Sequence, residues 1–569
     1  MMRAWPCFNS SKALSVLVIL AFQNWNHGNS SMEKEVTAAH GMVWSVTKTN
    51  HVVSLDLSGC CLFGSINSNS TLFRLVHLQN LNLAYNDFNY SQIPSQIGLL
   101  SSLTRLNLSI SDFSGQIPPQ VLNLSSLISL DLSYNYQVKL HKPSLRDLVQ
   151  KFTNLKLLDL SSNNIQGPIP SWLWNISKNS LEYMNLSYNF LTGFEEGPIV
   201  LQWAHLSVLD IRSNMIQGSL LSVPSNYFDG SISPTWRNGC NLRFISLNHN
   251  RLQGQVPQSL ANCSMLEFID FGENQLNDSF PSWLGNLPEL RVLILRSNRF
   301  HGALRKVGTD NFSALQIIDL SENKFTGDLP TTYFEMWDAM KIVNTSYMKY
   351  IGELSTSNTF PCVSYDNYDY SITINNKGLE LEYLKIPSTL AAIDFSCNRF
   401  EGAIPNVIGN LKAVHLLNLS NNMLTGHIPS SLANMKELEC LDLSSNRLSG
   451  QVPMELSQLT YLSSFNVSWN HLSGPVPQGK QFDTFDSNSY KGNSRLCGAL
   501  LEKKCADLET IPSTSSTFTE DEDLGSFFKT YWMIIFIGYA GGLIVGVAAG
   551  NEVTKRKHDW FVKTFGKNY

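Results

Sequence analysis

Val414–Pro429 reads VHLLNLSNNMLTGHIP, and Leu438–Pro453, 24 residues on, reads LECLDLSSNRLSGQVP. Leu390 and Leu462 open the same phrase one step before and one step after. The common unit is L-x-x-L-x-L-x-x-N-x-L-x-G-x-I-P. Its x-L-x-L stretch alternates, so the leucines point inward and the intervening residues outward from a short strand. One unit cannot bury its own leucines; stacked copies supply each other with a core. The Asn can both donate and accept, and so can satisfy backbone groups that a tight turn leaves unpaired. The Gly permits unusual backbone angles, and the Pro fixes its own φ.

Working outward, the phrase recurs from Val52 to about Tyr490, with a second clean run at Leu242, Leu266 and Leu290. About fifteen units are present, at the period of leucine-rich repeats. This predicts an α/β-type leucine-rich-repeat solenoid whose parallel strands line the concave face. The turn Asn recurs from Asn86 to Asn470, with Cys60 and Ser111 in its place in two units. Directly before each LSxN-type turn lies a second row, including Asp131, Asp159, Asp210, Asp270, Asp319, Asp394 and Asp442. It is read as a structural row, not a calcium site. Residues 341–389 break the repeat and form an island containing Tyr347, Tyr350, Tyr365, Tyr368 and Tyr370. The spacing also stretches to 36 residues between Leu206 and Leu242, read as a unit degraded by deletion.

The flanks place this body in a cell. Arg3, Lys12 and the apolar run Ala13–Phe22 make residues 1–28 a secretory signal. Residues 531–550 hold no charge and are long enough to cross a bilayer. Lys555, Arg556 and Lys557 follow them and place residues 551–569 in the cytoplasm. The expectation is a single-pass type I plasma-membrane protein with an extracellular N-terminus. The net charge of −5 leaves no basic footprint for nucleic acid. No P-loop, G-x-S-x-G, H-E-x-x-H or kinase motif is found, so neither an enzyme nor a cofactor is expected. Of ten cysteines, Cys497 and Cys505 are close enough to bridge; the others are read mostly as buried thiols.

These residues resemble the plant receptor-like proteins, the kinase-less leucine-rich-repeat receptors. The resemblance rests on LTGHIPSSL, on NKGLELEYLKIPSTLAAIDFSCNRFEGAIP closing the island before four further repeats, and on GNSRLCGALLEKKC. It implies a degenerate N-terminal cap over 29–51, repeats over 52–340 and 390–490, and a C-terminal cap and acidic juxtamembrane stretch over 491–530. Cys497 and Cys505 would be the pair of that C-terminal cap. It implies a receptor for an extracellular peptide, protein or glycan ligand, in plant defence, that signals through adaptor and co-receptor kinases. A non-signalling binding module, decoy or inhibitor, is the alternative. HGMVWSVTKTNHVVSLDLSG keeps the outline of the family's first cap without its cysteines, and a truncated, non-functional receptor copy is the further alternative.

Three sets of candidate residues follow. Gly538, Gly542, Gly546 and Gly550 share one face of the membrane helix and suit close helix contact. On the concave strands, Arg212, Phe244, Asn248, Phe268 and Arg296 replace the monotonous Asp, Asn and Ser, and are nominated as exposed ligand contacts. Sequons at Asn69, Asn89, Asn123, Asn175, Asn262, Asn277, Asn311 and Asn344 are candidates for glycosylation. Asn107, Asn185, Asn418 and Asn466 are also sequons, but ones that the repeat itself generates.

Overall fold

A computed structural model of the chain describes residues 51–169, 180–194, 205–219, 240–306, 308, 311–343, 349–352, 370–376, 379–499, 501 and 503–505. It also gives the backbone of three strands, Phe8–Asn9, Lys34–Thr37 and Val43–Val46. The membrane segment 531–550, its four glycines, Asn175 and Asn344 lie outside the described residues. Among the described residues no helix is long and apolar enough to cross a membrane.

Fifteen short strands, from Val52–Asp56 to Ser464–Asn466, form one parallel ladder in which each strand pairs with the coil before and the coil after. The inward leucines, such as Leu417, Leu441 and Leu443, are fully buried and belong to one apolar core that runs the length of the solenoid. On the opposite side the chain forms a single 3-10 turn in most coils: Asn406–Asn410, Ser430–Asn434 and Met454–Gln458 each begin directly after the Pro of the repeat. The helical layer of an α/β-type solenoid is therefore thin, because the coil has room for one turn only. An α-helix replaces that turn at Leu145–Lys151.

The turn Asn stitches coils together. Asn422 donates through Nδ2 to the Leu419 carbonyl of its own coil (3.2 Å) and to the Phe395 carbonyl of the preceding one (2.9 Å), and its Oδ1 accepts from the Phe400 amide at 3.0 Å. The same set recurs at Asn446 and Asn470. Where Ser111 stands in for Asn, its hydroxyl donates to the Leu83 carbonyl at 2.8 Å. Asn493 continues the ladder beyond the last leucine phrase, bonding the Val467 carbonyl and the Leu472 amide.

The irregular segments are accommodated differently. Val208–Asp210 pairs directly with Phe244–Ser246, so the stretched spacing adds no strand of its own to the ladder. Ile317–Asp319 pairs directly with Ala392–Asp394, so the island loops out of an unbroken sheet. At the N-terminal end, Lys34–Thr37 and Val43–Val46 form an antiparallel hairpin whose second strand pairs with Val52–Asp56 and closes the open edge of the sheet. A hydrogen-bonded hairpin thus covers the first coil where no cysteine cap is available. Phe8–Asn9 pairs in parallel with Leu62–Phe63, a pairing that removal of residues 1–28 would abolish.

The cysteine reading needs correction. Cys240 and Cys263 form a disulfide between neighbouring coils, with Cα atoms 4.7 Å apart, because the 24-residue period brings residues one repeat apart alongside each other. Cys497 and Cys505 are bonded in the closing segment. Cys60 and Cys440 are buried thiols, whereas Cys61 is exposed and Cys397 half-buried.

Candidate functional site

The ladder aligns two columns of side chains on the concave face. In register from the N-terminus, the first reads Ser54, Asn80, Arg105, Ser129, Leu157 and Tyr183. It then turns apolar for eight successive coils: Val208, Phe244, Phe268, Val292, Ile317, Ala392, Leu416 and Cys440. It returns to polar at Ser464. The second column is the acid and amide row, and it too breaks at Ile294, under the same coils.

These apolar side chains do not face water. The island folds back over them as an antiparallel hairpin, Ile372–Asn376 against Leu379–Tyr383. Tyr370, Ile372, Ile374, Ile351 and Ile386 are buried in one cluster with the apolar column, separate from the core of the solenoid. Phe244 and Phe268 stack with centroids 4.4 Å apart, and Tyr370 lies 4.8 Å from the first and 5.7 Å from the second. Gly352, at φ +84°, passes so close to the Tyr370 ring that a Cβ would sit 2.6 Å from it. The Ile351 amide donates to the Ile386 carbonyl at 2.9 Å, and the Ser388 amide to the Lys349 carbonyl at 2.8 Å, tying the two ends of the island together.

The five nominated residues all lie at or beside this seat, and the expectation that their aromatics are exposed is corrected. Phe268 is 0% exposed and Phe244 3%. Arg212 is held by Asp210 at 2.9 Å and lies over the Tyr188 ring, and it also donates to the Ser371 hydroxyl of the island at 2.9 Å. Arg296 pairs with Glu273 at 2.5 Å and donates to the island carbonyl of Thr373 at 3.3 Å. Asn248 donates to Asp270 at 3.2 Å. Gly272 stands where most coils have Ser, and a Cβ there would meet Asn248 Nδ2 at 2.9 Å and Arg296 Cγ at 3.1 Å. Two residues that looked like ligand contacts are therefore the floor under the chain's own hairpin, and two arginines are its clasps. The signal that sequence reasoning missed was the length of the apolar run: eight successive solvent-side positions are apolar only if something covers them.

What stays open beside the hairpin is polar. A cleft of about 510 Å³ is lined by Glu273, Arg296, Asp319, Glu322, Asp394, Asn418 and Asp442, among others. Its strand carboxylates are held rigidly: Asp394 Oδ1 accepts from the Ser396 amide and hydroxyl, and Asp394 Oδ2 accepts from Asn418 Nδ2 at 2.9 Å. Burial, and then the charge of Asp319, push Asp394 up to about 7. Burial raises Asp270 to about 6 against the opposing pull of the Gly272 amide and Arg296. At Glu273 burial is outweighed by His249 and Arg296, and the carboxyl is lowered. The cleft thus offers fixed acceptors along the strand row and the Arg296–Glu273 pair beside the hairpin. Among the described residues no group of His, Cys, Asp and Glu is arranged to hold a metal ion. The acid row is instead consumed by the serine hydroxyls two residues on, as at Asp131, Asp159 and Asp319.

Comparison with known proteins agrees with this architecture. The family described as Leucine-rich repeat region matches residues 36–336, and Leucine rich repeat matches residues 388–448. Receptor-like protein 47 of Arabidopsis thaliana is 36% identical over 86% of this chain and 66% of its own length. Receptor like protein 24 of the same plant is 38% identical, covering 87% of this chain and 62% of the relative. The chain spans about half the length of the curated relatives it matches, for example 50% of Receptor-like protein 18 and 52% of Receptor-like protein 35. Among solved structures, a plant peptide hormone receptor, RGFR1, in complex with RGF2 superposes with a TM-score of 0.51 at 24% identity, over 77% of this chain and 70% of that one. A leucine-rich-repeat protein of Leptospira interrogans, LIC12759, reaches 0.50 at 21% identity, over 74% of this chain and 90% of that one. At these identities the two structures speak to the fold alone.

Proposed function

The chain belongs to the plant leucine-rich-repeat receptor-like proteins, a non-enzymatic family, and from that premise we propose that it is a cell-surface receptor that binds an extracellular ligand and passes the signal to partner receptor kinases. The observation that carries the reading is the concave face itself. An intramolecular hairpin is docked on the apolar column, and an open polar cleft lies directly beside it. A ligand lying in that cleft would meet fixed carboxyl and amide groups on the sheet and the Arg296 clasp at the hairpin. It would therefore be read by hydrogen bonds, with orientation set by the hairpin. Arg212, Phe244, Phe268 and Arg296 act in this scheme chiefly by holding the hairpin, Asn248 holds Asp270 beside it, and of the five Arg296 alone lines the cleft as well.

The ligand class is an extracellular peptide, protein or glycan, and the setting is plant defence. Residues 531–550 anchor the receptor in the plasma membrane, and Gly538, Gly542, Gly546 and Gly550 offer one smooth face to the helix of an adaptor kinase. The test is co-purification of the full-length chain with receptor kinases from plant membranes. Association that falls when Gly542 and Gly546 are replaced by Leu supports the helix contact. Association unchanged by that substitution removes it, and absence of any kinase from the intact chain removes the signalling role.

A further inference from the structure

We propose that the ten described sequons divide by position in the coil: Asn69, Asn89, Asn123, Asn262, Asn277 and Asn311 carry N-linked glycans, while Asn107, Asn185, Asn418 and Asn466 stay bare. The inference rests on export of the chain, the topology argued above.

The two groups differ in burial and in their place on the coil. The first six are exposed, on the outer turns or at the lateral corners of the coil. Asn123 and Asn262, for instance, end the 3-10 segments Pro119–Asn123 and Gln258–Asn262. The other four occupy the second column of the concave ladder. There the sequon N-L-S or N-V-S arises because the repeat needs an amide or carboxyl at this position and a serine two residues on. Asn418 is 9% exposed. Its Oδ1 accepts from the Ser420 amide at 3.1 Å and hydroxyl at 2.8 Å, and its Nδ2 donates to Asp394 at 2.9 Å. Asn185 is bound likewise to Ser187 and Asp159, and Asn466 to Ser468 and Asp442. Asn107 is held by the Ser109 amide and hydroxyl.

A glycan is attached through Nδ2. At Asn185, Asn418 and Asn466 that nitrogen points along the row toward the preceding strand, about 4.8 Å away, and Asp394 and Asp442 flank Asn418 in register. A sugar there would displace the amide-to-carboxyl bond and force the neighbouring side chains apart. Glycans are added before folding is complete, so a chain modified at Asn418 could not bring Leu416–Asn418 into the ladder and would not mature. The folded receptor therefore keeps the strand row of its concave face free of sugar at these four positions, while the outer and lateral faces between Asn69 and Asn311 are sheathed.

The test is glycopeptide mass spectrometry of the full-length protein purified from plant membranes, scoring occupancy at each of the ten sites. Glycan at the six and none at the four is the expected result. Occupancy at Asn107, Asn185, Asn418 or Asn466 in folded protein, alongside the six, would overturn this proposal and leave the export reading standing. A chain bare at all ten would overturn both. Ser468→Ala removes one concave sequon without touching the bonds of Asn466, and leaves electrophoretic mobility unchanged if the site is bare. Asn277→Gln must shift mobility by one glycan; failure to do so counts against the exposed set.

Discussion

Replacing Tyr370 by Ala tests whether the island hairpin is a docked element or an integral part of the solenoid. The ring is 3% exposed and lies between the hairpin and the stacked rings of Phe244 and Phe268. Truncating a buried aromatic to Ala costs about 3–5 kcal/mol, and here the loss falls on the contact between the two elements, not on the leucine core. If the hairpin docks as a unit, its opening free energy drops by about 3 kcal/mol, which is roughly a hundredfold in the opening equilibrium. Amide hydrogen exchange reads this directly. The amides of Ile372–Asn376 and Leu379–Tyr383 should exchange about a hundredfold faster, while those of Arg105–Asn107, far along the ladder, keep their rates. Phe244→Ala combined with Tyr370→Ala should show a coupling of about 0.5–1.5 kcal/mol from the ring contact. Unchanged exchange in the hairpin would mean that the rings do not hold it. Equal acceleration in Arg105–Asn107 would mean that the hairpin and the solenoid open together, and the picture of a docked element would be lost.

Other consequences are simpler to state. Asn422→Ala leaves the carbonyls of Phe395 and Leu419 and the amide of Phe400 without their partner, and should cost about 2–3 kcal/mol, seen as faster exchange in coils 395–424 with the rest protected. Replacing Cys240 and Cys263 by Ser opens a loop with a sequence separation of 23, which chain entropy values at about 3 kcal/mol; a thermal melt should show a lower midpoint for the variant, and reductant, which still opens Cys497–Cys505, should lower it by less than it lowers the parent. Burial lifts Asp270 from 3.8 to about 6, so between those values the folded chain holds a proton that the unfolded chain lacks. Its contribution to stability is full below 3.8 and is lost as pH rises through about 6. Asp159 and Asp394, raised to about 7, act in the same direction. The melting midpoint should therefore fall as pH rises across this range, and Asp270→Asn should flatten the slope below about 6; a slope left intact would show that Asp270 does not titrate there.

Repetition explains which features were legible in the sequence. The leucine frame, the turn Asn from Asn86 to Asn470 and the structural acid row all repeat at the period of the coil, so each copy corroborates the others. Asn493 escaped because the leucines around it had already given way to the closing segment, although its bonds to Val467 and Leu472 are those of every other turn Asn. Cys240–Cys263 was hidden for the opposite reason: residues 23 apart look remote until the period is used to place them side by side. The island contacts have no period at all. Nothing local tells that Tyr370 meets Phe244, since the loop that carries it has no fixed register with the coils. Yet its docking place was written in the column from Val208 to Cys440, where a solvent-side position stays apolar through eight coils. A single exposed aromatic on a concave face invites a ligand, whereas a continuous apolar column calls for a covering segment of fixed length. Only the insertion at 341–389 is long enough to supply one among the described coils. Phe244 and Phe268 were thus correctly singled out as unusual and wrongly taken to be exposed, and the proposed ligand site moves one step along the sheet, to the polar cleft that the hairpin leaves uncovered.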